Sequence, residues 1–171
     1  MIKIDLLSRD NFNEFSLDCY KRRQEVKRVY RKNCDEYHLV DKLYIEDWSL
    51  DEKRRIAAAI SNPEHITYVA LNGRQVIGFI SLKNKLYGKF CILDYLHVSE
   101  DYRGQGIGRK LFNLGKQEAE KNGAEAIYIS ACSAEETVAF YRAMGAELTD
   151  NPIKELYENE PYDLQMIFSL E

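Results

Sequence analysis

The sequence is poor in the residues that hold metals or crosslink a chain. It contains three histidines and four cysteines, and the cysteines (Cys19, Cys34, Cys91 and Cys132) form no C-x-x-C pair. Scattered cysteines are typical of reduced thiols that pack as small apolar side chains. We therefore expect neither a structural disulfide nor a bound metal ion.

Long apolar runs and a strong positive charge are also absent. No stretch approaches the ~20 apolar residues of a membrane-spanning helix, and Lys3 and Asp5 follow Met1 too closely for a signal peptide. The net charge of −4 argues against nucleic acid as the main ligand. We expect a cytoplasmic protein with neither a membrane nor a nucleic-acid partner. The length predicts one domain, residues 1–171, and an exposed strand edge near the C-terminus would permit a homodimer.

The most informative stretch combines an apolar run with a glycine-rich turn. Residues Cys91–Val98 are mostly apolar and aromatic, as expected of a buried strand, and Ile107, Leu111 and Leu114 recur at helical spacing. Glycines lie between the two elements. Glycines at the start of a helix let an anion approach its unpaired N–H groups, so this turn predicts a pyrophosphate-binding loop.

Two familiar phosphate-binding motifs do not fit this loop. A P-loop needs Gly-Lys followed by Ser or Thr, whereas Gly108 is followed by Arg109. The Rossmann pattern needs a third glycine where this chain has Arg109 or Leu111. What remains is R-x-x-G-x-G, residues Arg103–Gly108.

This pattern, between a strand and a helix, resembles the acyl-CoA signature of the GNAT N-acetyltransferase superfamily. The segment Ala139–Gly145 resembles the family's second marker, an F-Y-x-x-x-G helix end. The resemblance implies acetyl-CoA as co-substrate, without a metal, and transfer of its acetyl group to an amine. It also implies cofactor contacts from these residues: Leu96, His97, Val98, Arg103, Gly104, Gln105, Gly106, Ile107, Gly108, Arg109, Ala134 and Tyr141. The family often has asparagine at the position of Ala134.

The order of predicted elements also resembles the GNAT fold. It begins with a strand (Met1–Leu7), two helices (Asn11–Asn33 and Leu50–Ser61) and antiparallel strands (Thr67–Val98), the first two of which form a hairpin with a turn at Asn72-Gly73. A helix (Gly104–Lys121), a parallel strand (Glu125–Ala131) and a helix opened by a Ser133–Glu136 capping box and ended by Gly145 follow. The chain ends with a strand (Ala146–Thr149), a surface loop (Asp150–Tyr162) and a last strand (Asp163–Leu170). This order predicts an α/β (α+β) fold. Its central sheet is mixed and mostly antiparallel, with one parallel βαβ unit and helices on both faces. The first predicted helix carries a basic stripe, either a solvated face or a docking surface.

The chemistry requires a group that accepts the proton of the amine and favours a donor for the leaving thiolate. The resemblance implies Tyr141 as the donor. Asp94 is the expected base, because an acidic residue in an apolar strand is costly unless it is paired or functional. The alternative is a structural ion pair. His97 is the second choice for the base, and it shares a face with Asp94 only if a bulge interrupts the strand.

Aromatic residues alternate with carboxylates between Tyr37 and Asp51, which suits a cationic amine, although such aromatics could equally be core. The candidate acceptor-binding residues are Tyr44, Trp48, Asp94 and Tyr95. The sequence thus predicts an N-acetyltransferase for a small cationic amine, antibiotic- or polyamine-like. A protein or peptide N-acetyltransferase and a non-catalytic acyl-CoA-binding sensor are the open alternatives.

Overall fold

The computed structural model describes all 171 residues and contains nine strands, four α-helices and a short 3-10 helix, Glu100–Tyr102. The strands are β1 (Ile2–Leu6), β2 (Gln24–Asn33), β3 (Glu36–Glu46), β4 (His65–Asn72), β5 (Gln75–Lys83), β6 (Phe90–Val98), β7 (Ala126–Ala131), β8 (Glu147–Leu148) and β9 (Leu164–Ser169). The helices are α1 (Leu50–Ile60), α2 (Ile107–Lys121), α3 (Glu135–Met144) and α4 (Lys154–Asn159). Seven strands form one sheet in the order β1-β4-β5-β6-β7-β9-β8, and β2 and β3 form a separate hairpin. The predicted mixed sheet is confirmed.

The antiparallel strands β4, β5 and β6 are neighbours in the sheet. Asn72 and Gln75 are the last pair between β4 and β5, so Gly73 and Arg74 make the connecting turn. After β6 the chain crosses over through α2 and returns as β7, which pairs with β6 in parallel. The predicted hairpin is confirmed, with its turn one residue later than Asn72-Gly73, and the parallel βαβ unit is also confirmed.

The pairing of β6 with β7 is short, and this determines where the sheet opens. Parallel pairs run only from Phe90 with Ala126 to Leu93 with Ile129, although β6 continues to Val98. Beyond Leu93 the two strands part, and one edge of β6 faces a gap. The carboxyl ends of adjacent parallel strands are a common place for ligands in α/β sheets.

Apolar cores fill both faces of the sheet. On one face, α2 and α3 contribute Leu111, Phe112 and Val138. On the other face, α1 contributes Ala57 and Ile60. The prediction of helices on both faces is confirmed. None of the four helices combines the length and the apolar character that crossing a membrane requires.

The predicted helix over Asn11–Asn33 is wrong, because residues from Gln24 onward form strand β2. The two buried apolar side chains of β2, Val26 and Val29, are three residues apart, which is also the spacing of one helical face. The register of β2 against β3 shifts between Val26 and Arg28, and this shift interrupts the strict alternation of a strand. The basic side chains of this segment therefore form no helical stripe.

The turn between β2 and β3 lacks the usual sequence signal of a hairpin. Asn33 pairs with Glu36, so Cys34 and Asp35 form a two-residue turn. Both have positive φ angles, 50° and 65°. Such turns strongly favour glycine or asparagine, and without them the hairpin could not be recognised from the sequence.

Two further predictions near the C-terminus are wrong. Ala134, not Ser133, precedes the first turn of α3, and Ser133 Oγ accepts a hydrogen bond from Arg31 Nη1 at 2.8 Å. The segment Asp150–Tyr162, predicted as a loop, contains the six-residue helix α4. Gly145 ends α3, as predicted.

Candidate active site

A pocket of about 750 Å³ lies at the gap between β6 and β7. Its walls come from the end of β6, the loop before α2, the start of α2, the end of β7 and α3, and the start of β2 closes another side. This volume is typical of small-molecule and cofactor sites. The pocket brings together most of the predicted site residues: Asp94, Leu96, His97, Val98, Arg103, Gly104, Gly106, Ile107, Gly108, Arg109 and Tyr141.

Asp94 is the extra residue of a bulge in β6. Leu93 pairs with Leu82 and Tyr95 pairs with Ser81, so Asp94 has no partner on β5. A bulge takes one side chain out of the regular alternation of the strand. Asp94 therefore projects into the pocket from a strand that is otherwise apolar at this point.

The Asp94 carboxylate is held by a histidine that the sequence analysis missed. His65 Nε2 lies 2.6 Å from Asp94 Oδ2, and Lys83 Nζ lies 3.9 Å from the same oxygen. The His65 side chain is only 10% exposed, and its Nδ1 atom is buried without a partner. An imidazole that donates from Nε2 leaves an unpaired lone pair at Nδ1, which costs less than a buried N–H group would. Asp94 Oδ1 has no hydrogen-bond partner in the protein and is available to a ligand.

His97 lies in the pocket wall but packs against aromatic rings. Its ring centroid is 4.8 Å from that of Trp48, and the bulge brings it to the same sheet face as Asp94. Burial, together with the nearby charges of Arg22 and Arg103, lowers the pKa of His97 to about 3. A group with this pKa is neutral at pH 7 and accepts a proton poorly.

Tyr141 places an unpaired hydroxyl group at the pocket. The residue is 6% exposed, and its ring packs edge-on against Phe112 and Phe140. Burial first, and then the charges of Cys132 and Asp163, raise the pKa of Tyr141 above its usual value. The hydroxyl therefore keeps its proton at neutral pH and can donate a hydrogen bond.

A second carboxyl group, Asp163, enters the pocket just before β9. Ser130 Oγ donates to Asp163 Oδ2 at 3.2 Å and accepts from Gln165 Nε2 at 2.9 Å, while Tyr128 donates to Gln165 Oε1 at 2.6 Å. Burial and the nearby charge of Glu160 raise the pKa of Asp163 to about 6, against the opposing effect of the Ser130 hydrogen bond. No motif in the sequence marks this residue.

The loop before α2 presents a row of unpaired backbone N–H groups. The N–H groups of residues 104–109 find no acceptor in the protein, and the first helical bond runs from Lys110 N to Gly106 O at 3.1 Å. Gly104 and Gly106 have φ angles of +75° and +79°, and a Cβ atom on either would meet nothing within 4 Å. The open N–H groups and the positive end of α2 fit a pyrophosphate, as carried by acetyl-CoA.

The backbone of β6 is also free on the side of the gap. Ser99 N donates to Ile77 O of β5 at 2.8 Å. Because hydrogen bonding alternates along an antiparallel strand, the N–H groups of Leu96 and Val98 point away from β5 and toward the gap. The predicted contacts of Leu96 and Val98 with the cofactor depend on these free N–H groups.

Arg103, the first residue of the glycine motif, joins two segments of backbone. Its guanidinium donates to Val98 O at 3.0 Å, Arg23 O at 2.7 Å and Arg22 O at 2.8 Å. These bonds attach the segment before β2 to the end of β6. Arg103 thus positions one wall of the pocket, and its direct contact with the cofactor stays a prediction.

Five of the predicted site residues are not in the pocket wall: Tyr44, Trp48, Tyr95, Gln105 and Ala134. Trp48 stacks on Tyr20, and Tyr44 packs on the small cluster that contains Ala134. The aromatic side chains of this region therefore pack against their neighbours, which is the alternative that the sequence left open. Their predicted contacts with ligands stay predictions.

The Acetyltransferase (GNAT) family profile matches residues 26–146. No curated protein matches the sequence. Among solved structures, a nourseothricin acetyltransferase has a TM-score of 0.77 at 16% identity, with 99% of each chain covered. A candidate streptothricin acetyltransferase from Bacillus anthracis strain Ames, in complex with acetyl coenzyme A, has a TM-score of 0.74 at 22% identity, with 100% of this chain and 99% of that chain covered. An aminoglycoside 6'-N-acetyltransferase complexed with coenzyme A has a TM-score of 0.56 at 19% identity, with 70% of this chain and 80% of that chain covered.

The family match covers 121 of the 171 residues, from 26 to 146. It includes the glycine-rich loop, strands β6 and β7 with the gap between them, and Tyr141. The fold agrees with that of structures that contain the cofactor. The chain therefore belongs to the GNAT acetyltransferase family and is an acetyl-CoA-dependent N-acetyltransferase.

Proposed function

We propose that the enzyme acetylates a primary amine of a small cationic acceptor, antibiotic- or polyamine-like, by direct attack on acetyl-CoA. One observation carries this proposal: the unpaired Asp94 Oδ1 and the unpaired Tyr141 hydroxyl face one pocket beside the open N–H groups. Four carboxyl groups line that pocket, those of Glu25, Asp94, Glu136 and Asp163. They share the lining with Arg22, Arg103 and Arg109, and the part of the wall formed by the carboxyl groups attracts an ammonium group. The similar structures named above for nourseothricin, streptothricin and aminoglycosides support a small antibiotic-like acceptor.

The base in this proposal is Asp94. When bound, acetyl-CoA supplies an activated acetyl group and a thiolate leaving group. Asp94 Oδ1 takes the proton that the amine nitrogen releases as it bonds to the carbonyl carbon, directly or through one water. His65 fixes the other carboxylate oxygen and so orients Oδ1. His97 is the weaker candidate because its pKa is about 3.

The acid in this proposal is Tyr141. Its hydroxyl donates a hydrogen bond to the sulfur and then its proton as the carbon–sulfur bond breaks, and solvent restores both residues to their starting protonation states. The N–H groups of residues 104–109 hold the pyrophosphate, and those of Leu96 and Val98 hold the pantetheine arm. We further propose that residues 1–171 form a single domain, which is supported by a sheet that contains both β1 and β9.

The test is thiol release from acetyl-CoA across a panel of aminoglycosides, streptothricin-like compounds, polyamines, amino acids and short peptides. Tyr141→Phe and Asp94→Asn should each lower kcat at least tenfold on the preferred amine, the scale of a positioned acid or base. Tyr157→Phe removes the hydroxyl of an exposed tyrosine outside the pocket and is the matched control.

Turnover of peptides alone would move the proposal to a protein or peptide N-acetyltransferase. Acetyl-CoA binding without turnover of any amine or peptide would favour a sensor. Full activity of both Tyr141→Phe and Asp94→Asn would contradict the assigned roles while leaving the activity itself in place.

A further inference from the structure

Arg22 is a buried cation in the pocket wall without an acidic partner. The residue is 7% exposed and lines the pocket. Its Nη1 atom donates to Gln24 Oε1 at 3.1 Å, and its guanidinium carbon lies 5.4 Å from the centroid of the Trp48 ring. No carboxylate of the protein lies within ion-pair distance, and Nε is buried without an acceptor. A buried charge is costly unless it is paired, so this arrangement favours an anion from outside the chain.

The unpaired edge of Arg22 is the one that binds carboxylates elsewhere in this protein. Arg54 donates from Nε and Nη2 to the two oxygens of Asp18, at 3.2 and 2.9 Å. Arg28 uses the same two nitrogens on Glu135. On Arg22, Nε and Nη2 have no hydrogen-bond partner in the protein. A planar fork of this kind matches the geometry of a carboxylate.

The segment that carries Arg22 is held in place. Arg103 donates to the backbone carbonyls of Arg22 and Arg23, and Lys21 N donates to Ser99 Oγ at 3.0 Å. These hydrogen bonds hold the backbone of residues 21–23 in place, so Arg22 is positioned in the pocket wall without an acidic partner. A group positioned before its ligand arrives loses little freedom on binding.

Arg22 lies on the acceptor side of the pocket. The pyrophosphate would lie at the open N–H groups of residues 104–109, at the start of α2. Arg22 instead lies over the ring of Trp48, which packs against His97 on the sheet face to which the bulge turns Asp94. The cation and the proposed base therefore face one acceptor site.

We propose that Arg22 binds a carboxylate of the acceptor, so the acceptor is an amine that also carries a carboxylate. This inference rests on the proposed function. An amino acid with two amino groups has the carboxylate that Arg22 requires and the positive charge of the proposed acceptor, because it stays cationic overall while its carboxylate pairs with Arg22. Its reacting amine then lies near Asp94, and the remaining acidic groups of the wall face its second amine.

The test compares acceptors that differ only in the carboxylate: lysine with cadaverine, and ornithine with putrescine. The wild-type enzyme should acetylate each amino acid with a kcat/KM at least about tenfold above that of its decarboxylated partner. Arg22→Gln should remove this preference by raising KM for the amino acid, and it should not raise KM for the diamine, which has no carboxylate to lose and is no longer repelled by the guanidinium charge. Arg22→Lys keeps the charge without the planar fork and should restore only part of the preference. Arg54→Gln, outside the pocket, is the matched control.

Equal use of each amino acid and its diamine by the wild-type enzyme would overturn the inference and leave the proposed function standing. An equal loss on both acceptors in Arg22→Gln, accompanied by weaker binding of acetyl-CoA in calorimetry, would also overturn it by assigning Arg22 to the cofactor. Failure to acetylate any amine on the panel would instead remove the proposed function, and the inference with it. The wild-type comparison needs no variant, so it holds even if Arg22→Gln does not fold.

Discussion

Replacing Asp163 with asparagine should stabilise the protein at pH 8 more than at pH 4.5. Burial and the charge of Glu160 raise the pKa of Asp163 from its ordinary value of 3.8 to about 6. The folded state therefore binds the proton more tightly than the unfolded state does. As the pH rises from about 4 to about 6, the unfolded chain ionises first, and the stability that the protonated carboxyl provides is lost.

The size of the effect follows from that difference. A difference of one in pKa between the folded and unfolded states corresponds to about 1.4 kcal/mol. Ionised Asp163 therefore costs the folded state about 3 kcal/mol at pH 8 if solvent screening is ignored. About 1 kcal/mol of this is already lost at pH 4.5, where most of the unfolded chains carry the charge. Asp163 is partly exposed, and solvent screening reduces the difference between the two pH values to about 1–2 kcal/mol. For a chain of this length the corresponding change in Tm is about 2–8 °C.

The assay is thermal unfolding of wild type and Asp163→Asn at pH 4.5 and pH 8. An asparagine oxygen can still accept the hydrogen bond from Ser130, so the variant removes the charge and little else. Asp150→Asn, at an exposed position, is the control and should show no pH-dependent gain. A gain for Asp163→Asn that is the same at both pH values, or larger at pH 4.5, would refute the assignment of a raised pKa to Asp163.

Two glycines provide further predictions. Gly106→Ala, at a φ angle of +79°, should cost about 1–2 kcal/mol of stability. It should also weaken acetyl-CoA binding in calorimetry, because it strains the loop that presents the unpaired N–H groups. Unchanged affinity would argue against that loop as the cofactor site. Gly115→Ala would place its Cβ atom 2.6 Å from Ile80 Cδ1 in the core. The overlap costs about 1–3 kcal/mol, the higher helix propensity of alanine offsets about 1 kcal/mol of it, and the free energy of unfolding in urea should fall by up to about 2 kcal/mol. Adding Ile80→Val removes that methyl group and should recover part of the loss, so a double variant no more stable than Gly115→Ala would contradict the packing explanation.

The candidate site shows where prediction from the sequence stops. The cofactor side could be predicted because its residues are neighbours in the chain: the R-x-x-G-x-G loop lies between a strand and a helix that the apolar pattern also predicts. The acceptor side could not be predicted in the same way. His65 meets Asp94 across 29 positions of sequence, and Arg22 enters from a segment predicted as helix. The pKa of Asp163 is raised first because other elements bury the residue, and then by the nearby charge of Glu160.

The sequence by itself determined the elements whose signals are local: the β4–β5 hairpin, the βαβ unit, the glycine-rich loop and the end of α3. Tertiary structure alone decided that residues 24–46 form a hairpin, because Val26 and Val29 suit a helix and a strand equally well until their neighbours are in place. It also decided that Asp94 projects from a bulge, since a register shift is a property of two strands together. Short-range preferences act within a few residues, whereas burial, register and unpaired charge depend on the parts of the chain that meet only after folding.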